Sequence, residues 1–263
     1  MLNIIVKVPT KRLKIRRSLA KLFQSYVYHQ LDSREHKGYK HPNGKVFKSM
    51  NFKIFYSGNT IVIKYSALDK ENEKKVAMAV LNKGLKLGEI HIAQTEVSLD
   101  DHQKSVDDKI RVKGFVVAAI KDGKSNKKIY LEPKTHKFQE IVHTHTIQKY
   151  EVLFGEPYKG ELKIVLLSQQ PKPQNFFYHR APIKAWHGVY EIEADKKMTE
   201  MILDTGLGSQ AMQGLGFVEL VKPREKPKKQ KQKELDEIMQ FSGIASGDSK
   251  GMTSKEIKAL KEE

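Results

Sequence analysis

The sequence predicts an α+β protein made of two consecutive βαββαβ units with antiparallel sheets. Three observations carry this. Short apolar runs with period-2 alternation, such as LNIIVKV (2–8) and TIVIKYSA (60–67), read as strands. Segments with a 3.6-residue apolar period lie between them, at 15–26, 69–83, 136–154 and 195–205. The resulting order, strand–helix–strand–strand–helix–strand, occurs twice, and that order is the ferredoxin-like pattern.

The first unit is expected over residues 1–99. After the opening strand, Ile15, Leu19, Leu22, Phe23 and Tyr26 share one helical face. DSREHKGYKHPNGK (32–45) is polar, carries Gly, Pro and Asn-Gly turn signals, and reads as a loop. FKIFYSG and TIVIKYSA follow as a hairpin closed by a Gly-Asn turn. Residues 69–83 form the second helix, with Val76, Val80 and Leu81 inward, and GEIHIAQTEVSL (88–99) is the last strand. The polar, aperiodic stretch 100–109 is a linker. The second unit spans 110–221: IRVKGFVVAAI as a strand, 136–154 as a helix with Phe138, Ile141, Val142 and His145 on one face, then GELKIVLLSQ and GVYEIEA as strands. DKKMTEMILDT is its second helix and LGFVELV its closing strand. Residues 222–263 form a basic, Pro-punctuated, flexible tail in which Thr253 and Glu256 have the spacing of a capping box for a short helix.

Charge narrows the partner. The net charge is +17. The tail holds 11 Lys and Arg against 8 Asp and Glu, which leaves +14 on residues 1–221. A basic folded body, unlike a basic tail, implies a surface field that attracts a polyanion, with nucleic acid as the leading candidate. No apolar run approaches the ~20 residues that span a bilayer, and the N-terminus lacks a signal-peptide pattern, so a cytoplasmic protein is expected. With no cysteine, thiolate metal sites, disulfides and a Cys nucleophile are excluded.

The sharpest local feature is DTGLGSQAMQGLGFVEL (204–220), with Gly206, Gly208, Gly214 and Gly216 inside eleven positions between a helix and a strand. One glycine would serve as a helix C-cap. Four in the spacing G-L-G-x5-G-L-G suggest a backbone that approaches a ligand closely, with amide groups able to form an anion-binding concavity. It is not a P-loop, which needs Gly-Lys-Ser/Thr, and not the dinucleotide fingerprint, which runs from strand to helix.

The tandem layout, the basic body and this glycine segment together resemble the CRISPR repeat-RNA processing endoribonucleases. The resemblance covers residues 1–221 as an architecture and is sharp only in the glycine segment. It implies that Gly206, Gly208, Gly214 and Gly216, with Ser209, Gln210 and Gln213 between them, contact RNA. The segment SQAMQ has no Lys or Arg, where family loops usually carry one. Either backbone amides act there, or a basic residue from elsewhere supplies the charge. The resemblance further implies metal-independent cleavage within the repeat, with no cofactor, to give mature crRNA. RNA supplies its own nucleophile, the 2′-OH, so the protein must move two protons and stabilise charge on phosphorus. Histidine suits the first task, and Lys, Arg or amides the second. The products would be a 2′,3′-cyclic phosphate and a 5′-hydroxyl. The implied partner is CRISPR repeat RNA, and the resemblance also admits other CRISPR effector subunits and a homodimer.

The family's catalytic histidine lies in or just after the first helix, which makes His29, His36 and His41 the candidates. His36-Lys37-Gly38-Tyr39 resembles the family's His-x-x-Gly-aromatic stretch but is one residue short. His36 is taken first and His41 second, as a base and acid pair. Tyr39 is expected to orient ribose or phosphate, Lys53 to meet the transition-state charge, and Lys40, Lys45 and Lys48 to hold phosphates. Arg180 and Lys184 flank a hairpin that could lie beside RNA, and Trp186 reads as core. His143 and His145, two apart on a helix, face different ways and are not a metal pair; His145 reads as a satisfied, half-buried side chain. Two other readings compete: a non-catalytic RNA-binding scaffold of ferredoxin-like folds, and a basic ribosome-associated or tRNA-processing factor. KGFVV (113–117) echoes an RNA-recognition motif but lacks its aromatic pattern.

Overall fold

The computed structural model describes residues 1–7, 19–57, 59–92, 94–100, 108–123, 125, 127–178 and 181–221. Ile15, most of the 100–109 linker, Gly58 of the hairpin turn and the 222–263 tail lie outside them.

The first half runs β1 (Leu2–Lys7), α1 (Leu19–Gln30), α2 (Ser33–Lys37), β2 (Tyr39–Lys40), β3 (Val46–Phe47), β4 (Met50–Ser57), β5 (Thr60–Ala67), α3 (Lys70–Lys83), β6 (Leu85–Leu87), β7 (Ile90–Ile92) and β8 (Thr95–Leu99). Its sheet has the order β4-β5-β1-β8, and every adjacent pair is antiparallel. The second half runs β9 (Lys109–Val116), β10 (Ala119–Lys121), β11 (Lys128–Tyr130), α4 (His136–Phe154), β12 (Lys163–Leu166), β13 (Lys172–Tyr178), β14 (Ala181–Glu193), α5 (Lys196–Thr205), a 3-10 turn (Ala211–Gln213) and β15 (Val218–Leu220). Its sheet has the order β12-β14-β9-β15, with β13 also paired to β14. Taking the four main strands of each half in chain order, both sheets read 2-3-1-4. The chain is thus two ferredoxin-like units in tandem, as its pattern predicts.

Local chemistry fixes the helices. Asp69 caps α3 by accepting from the Glu71 amide at 3.0 Å, Thr135 caps α4 through the Phe138 amide, and Asp195 caps α5 through the Met198 amide at 2.9 Å. Alternation buries Leu2, Ile4 and Val6 of β1 against Phe23, Phe52 and Val76. Val112, Phe138, Tyr190, Ile202 and Val218 centre the second core.

Several boundaries differ from the sequence-based expectation. The polar loop 32–45 contains α2 and the small β2–β3 hairpin. Gly38, at φ +79°, closes α2 with its amide on the Arg34 carbonyl at 2.7 Å. GEIHIAQTEVSL divides: β7 folds back on β6, whose Leu85 and Leu87 are buried, and only β8 joins β1. Leu81 points outward at 58% exposure, because Glu73, Val76, Ala77 and Val80 already fill the i, i+3, i+4, i+7 face. The stretch 110–120 also divides, into β9 and β10. Among the described residues, no helix is long and apolar enough to cross a membrane.

Candidate functional site

The glycine segment wraps the end of β9. The amide of Leu207 donates to the Gly216 carbonyl at 2.8 Å, Ser209 to Val117 at 2.9 Å, and Gly216 to Phe115 at 2.8 Å. With Gly206, Gln213 and Gly214, six of the segment's amides are thereby spent on protein carbonyls. The glycines also answer a packing demand. At Gly206, φ is +82°, and a Cβ would stand 2.0 Å from Asn51 Nδ2 and 2.6 Å from the Gly216 carbonyl oxygen. At Gly208 it would stand 2.6 Å from the Val117 carbonyl oxygen. The segment also joins the halves: Met212, in the 3-10 turn, is buried in the first core. Gln210 is the one non-glycine with positive φ among the described residues, and its Oε1 is buried without a hydrogen-bond partner. The Ser209 hydroxyl donates to the Val117 carbonyl at 3.2 Å.

A basic residue from elsewhere does stand beneath the loop. Lys149, on α4, is buried, and its Nζ donates to the Gly206 carbonyl at 2.6 Å, to Thr205 Oγ1 at 3.2 Å and to the Thr205 carbonyl at 3.3 Å. It faces protein acceptors at the C-terminal end of α5. Burial pushes its amine down to about 7. The neighbouring His145 lies 4.6 Å from the Phe47 ring, with Nδ1 sealed and unpartnered. Burial first, then Lys149 and Lys45, push its imidazole down to about 3, so it is neutral. The expected satisfied histidine is thus unsatisfied at one nitrogen, because no donor or acceptor reaches it inside the α4 packing.

His36, Lys48 and Tyr39 meet in the first half. His36 is exposed on α2, and its ring stacks on Tyr28 of α1, with centroids 4.6 Å apart and planes at 28°. Lys48 Nζ lies 5.0 Å from the Tyr28 centroid and donates to the His36 carbonyl. Burial lowers the Lys48 amine, with Glu35 opposing, while burial pushes Tyr28 up to about 12 and keeps its hydroxyl protonated. The Tyr39 hydroxyl donates to Glu35 Oε1 at 2.9 Å, and Ser49 donates to the other carboxylate oxygen. The Arg34 guanidinium covers the Tyr39 ring at 4.9 Å. Tyr28, Glu35 and Arg34 were not singled out from sequence. Tyr28 sits about one turn before the loop, and only the stacking geometry reveals it.

His41 is engaged elsewhere. Its Nδ1 accepts the Asn43 amide at 3.2 Å, which leaves the proton on Nε2, and Nε2 donates to Glu151 of α4 at 3.2 Å. Lys45 Nζ reaches Gln148 at 3.1 Å. The β2–β3 hairpin is thereby clamped to α4. Lys40 stays exposed on β2. His29 donates from Nδ1 to the Ser25 carbonyl at 2.6 Å, one helical turn back.

Lys53 belongs to a third group, across the two sheets. Lys53 and Lys64 both pair with Glu219 of β15, the latter at 2.6 Å. Burial lowers the Lys53 amine against the pull of Glu219. His187 of β14 faces Lys53 as well, and burial, then Lys113, Lys53 and Lys172, hold it below the usual imidazole range. Gln213 and Gly214 line a cavity beside this group. Lys184 lies over the buried Trp186 ring at 5.2 Å. Arg180 lies outside the described residues. No group of three or more His, Asp or Glu side chains gathers as metal ligands would among the described residues.

Comparison with known proteins follows the same division. Residues 98–220 match the family model described as CRISPR associated protein Cas6, C-terminal. No curated protein matches the chain in sequence. Among solved structures, that of a Cas6-related gene from Pyrococcus furiosus is similar with a TM-score of 0.62 at 14% identity, over 85% of this chain and 99% of that one. One described as CRISPR associated protein Cas6 gives 0.61 at 15% identity, over 84% and 98%. A third, a RAMP protein described as binding different RNA substrates, gives 0.60 at 17% identity, over 84% and 100%. At such identities the likeness establishes the shared tandem fold. With the family match, it bears out the resemblance drawn from the glycine segment.

Proposed function

We propose, from the match of residues 98–220 to the family model described as CRISPR associated protein Cas6, C-terminal, that the chain is an endoribonuclease that binds CRISPR repeat RNA and cuts within the repeat. The family match carries this reading, and the His36 group supports its chemistry. His36 offers an accessible imidazole, the group whose ordinary pKa of ~6.5 suits proton transfer near neutrality. It takes the proton from the 2′-OH. The 2′-oxygen then bonds to the adjacent phosphorus, and the bond to the 5′-oxygen breaks. The departing oxygen takes a proton from water and His36 releases its own to solvent, leaving a 2′,3′-cyclic phosphate and a 5′-hydroxyl. No metal takes part in this scheme. Lys48, adjacent to His36, stabilises the charge that builds on the phosphoryl oxygens. Tyr28 is a positioning residue that holds the imidazole plane by stacking. His41, bound by Glu151 and Asn43, acts in this scheme as a clamp rather than as the second proton carrier.

The test is cleavage of an end-labelled repeat RNA in excess EDTA, beside RNAs with one 2′-deoxy substitution at each position. A single cut, lost with one deoxy substitution and slowed ~10²–10⁴-fold by His36→Ala, is expected. Tight binding without cleavage would favour the scaffold instead. Loss of the cut in EDTA would overturn the metal-independent route.

A further inference from the structure

We propose that the cavity between edge strands β4 and β13 receives one unstacked base of single-stranded RNA, held between phenylalanine rings and read at its edge by amide side chains. The inference rests on the RNA-binding part of the proposed function and adds a base-reading element to it.

The cavity has a volume of about 590 Å³, enough for a nucleoside, and opens beside the glycine segment. Four rings wall it. Phe115 and Phe176 form a fixed corner, edge to face at 4.8 Å and 74°. Phe55 and Phe177 complete the walls and remain 38% and 42% exposed. Exposed aromatic rings in an otherwise packed surface are characteristic of a binding face. None of the described residues lining the cavity is charged, which disfavours a phosphate inside it. The polar groups are amides instead: Gln174 and Asn175 from β13, and Gln213 from the 3-10 turn. Amide side chains donate and accept side by side, the pattern that base edges require. Positive charge begins at the rim, where Lys53 Nζ lies 5.3 Å from the Phe55 centroid. An aromatic, amide-edged pocket with a cationic rim fits a splayed base whose phosphates stay outside, the usual mode of single-strand recognition.

The test pairs an abasic scan of the repeat RNA with substitutions in the full-length protein, reading affinity. Phe177→Ala removes an exposed ring and leaves both cores intact, and Phe55→Ala repeats the measurement from the opposite wall. At one RNA position, removal of the base should weaken wild-type binding about 5- to 100-fold. At that position the variants should show little further loss, because the contact is already gone. Gln174→Ala should keep the stacking penalty but flatten the preference among the four bases. If the repeat binds and every abasic penalty is the same in wild type and in both Phe variants, the pocket proposal is wrong and the RNA-processing reading stands. If the protein does not bind repeat RNA at all, both fall together.

Discussion

Replacing Lys149 by Met removes a buried amine from beneath the glycine segment and should change the pH dependence of stability in a defined direction. In the folded protein burial brings this amine from 10.5 to about 7. In the unfolded chain it keeps its proton up to the ordinary lysine range. Between those two values the unfolded state therefore binds more protons, and stability rises with pH. The slope from one such group is about 1.4 kcal/mol per pH unit, and about 5 kcal/mol is the order of the whole span. Below pH 7 both states are protonated and the group contributes no slope. Lys149→Met lacks the term entirely. Denaturant unfolding of both proteins at pH 7.5 and 9.5 measures it: wild type should gain about 3 kcal/mol over the variant between the two. The opposing physics is specific. Three acceptors, the Thr205 and Gly206 carbonyls and Thr205 Oγ1, match the three N–H bonds of an ammonium. Thr205 cannot donate back, because its hydroxyl is committed to the Met201 carbonyl at 2.7 Å. Curves that stay parallel over this range would mean that these acceptors keep the amine charged, and the reasoning from burial would be refuted.

Other consequences follow from single contacts. Gly206→Ala must place a Cβ 2.0 Å from Asn51 Nδ2 at a positive φ, so thermal unfolding should report a loss of at least ~2 kcal/mol. A double-mutant cycle between His41 and Glu151, which join the β2–β3 hairpin to α4 at 3.2 Å, should give a coupling of ~0.5–1.5 kcal/mol in denaturant unfolding; zero coupling would remove the clamp. Glu219→Gln frees Lys53 and Lys64 from their shared carboxylate. RNA affinity at low salt should rise and the slope of log K against log salt should steepen by about one to two phosphate equivalents.

Much of the fold was legible because its signal is local. The switch between period 2 and period 3.6 marks α4 at its observed ends and α5 to within one residue of its start. The errors arose where local pattern and tertiary demand part. Leu81 is as apolar as Val80, yet only one of them falls on the inward face of α3. In the candidate site, only the family resemblance pointed to His36, and nothing pointed to Tyr28, since the sequence does not say which tyrosine stacks on it. Lys149 was invisible for another reason. A lysine in an amphipathic helix normally marks the solvated side, and only the C-terminal end of α5, 56 residues away in the chain, gives this one a reason to be buried. Met212 reads as a loop residue and is a core residue of the other half.

The glycine segment shows why its residue type was readable and its role was not. Four glycines announce a backbone under steric demand, and a ligand and another backbone make that demand in the same way. Here the crowding atoms are protein: Asn51, the Val117 carbonyl and the segment's own Leu207–Gly216 pairing. That also explains how SQAMQ can do without a cation. A segment whose amides close on β9 and whose Met212 anchors the first core works as a joint between the halves. Charge for a polyanion must then come from the facing sheets, where Lys53 has Lys64 and Lys113 as neighbours and faces His187 together with Lys113 and Lys172. These side chains lie on strands, not on the joint, so the joint sets the distance between them. A change that loosens the segment, such as Gly206→Ala, would disturb the spacing of that charged face even at residues it does not touch.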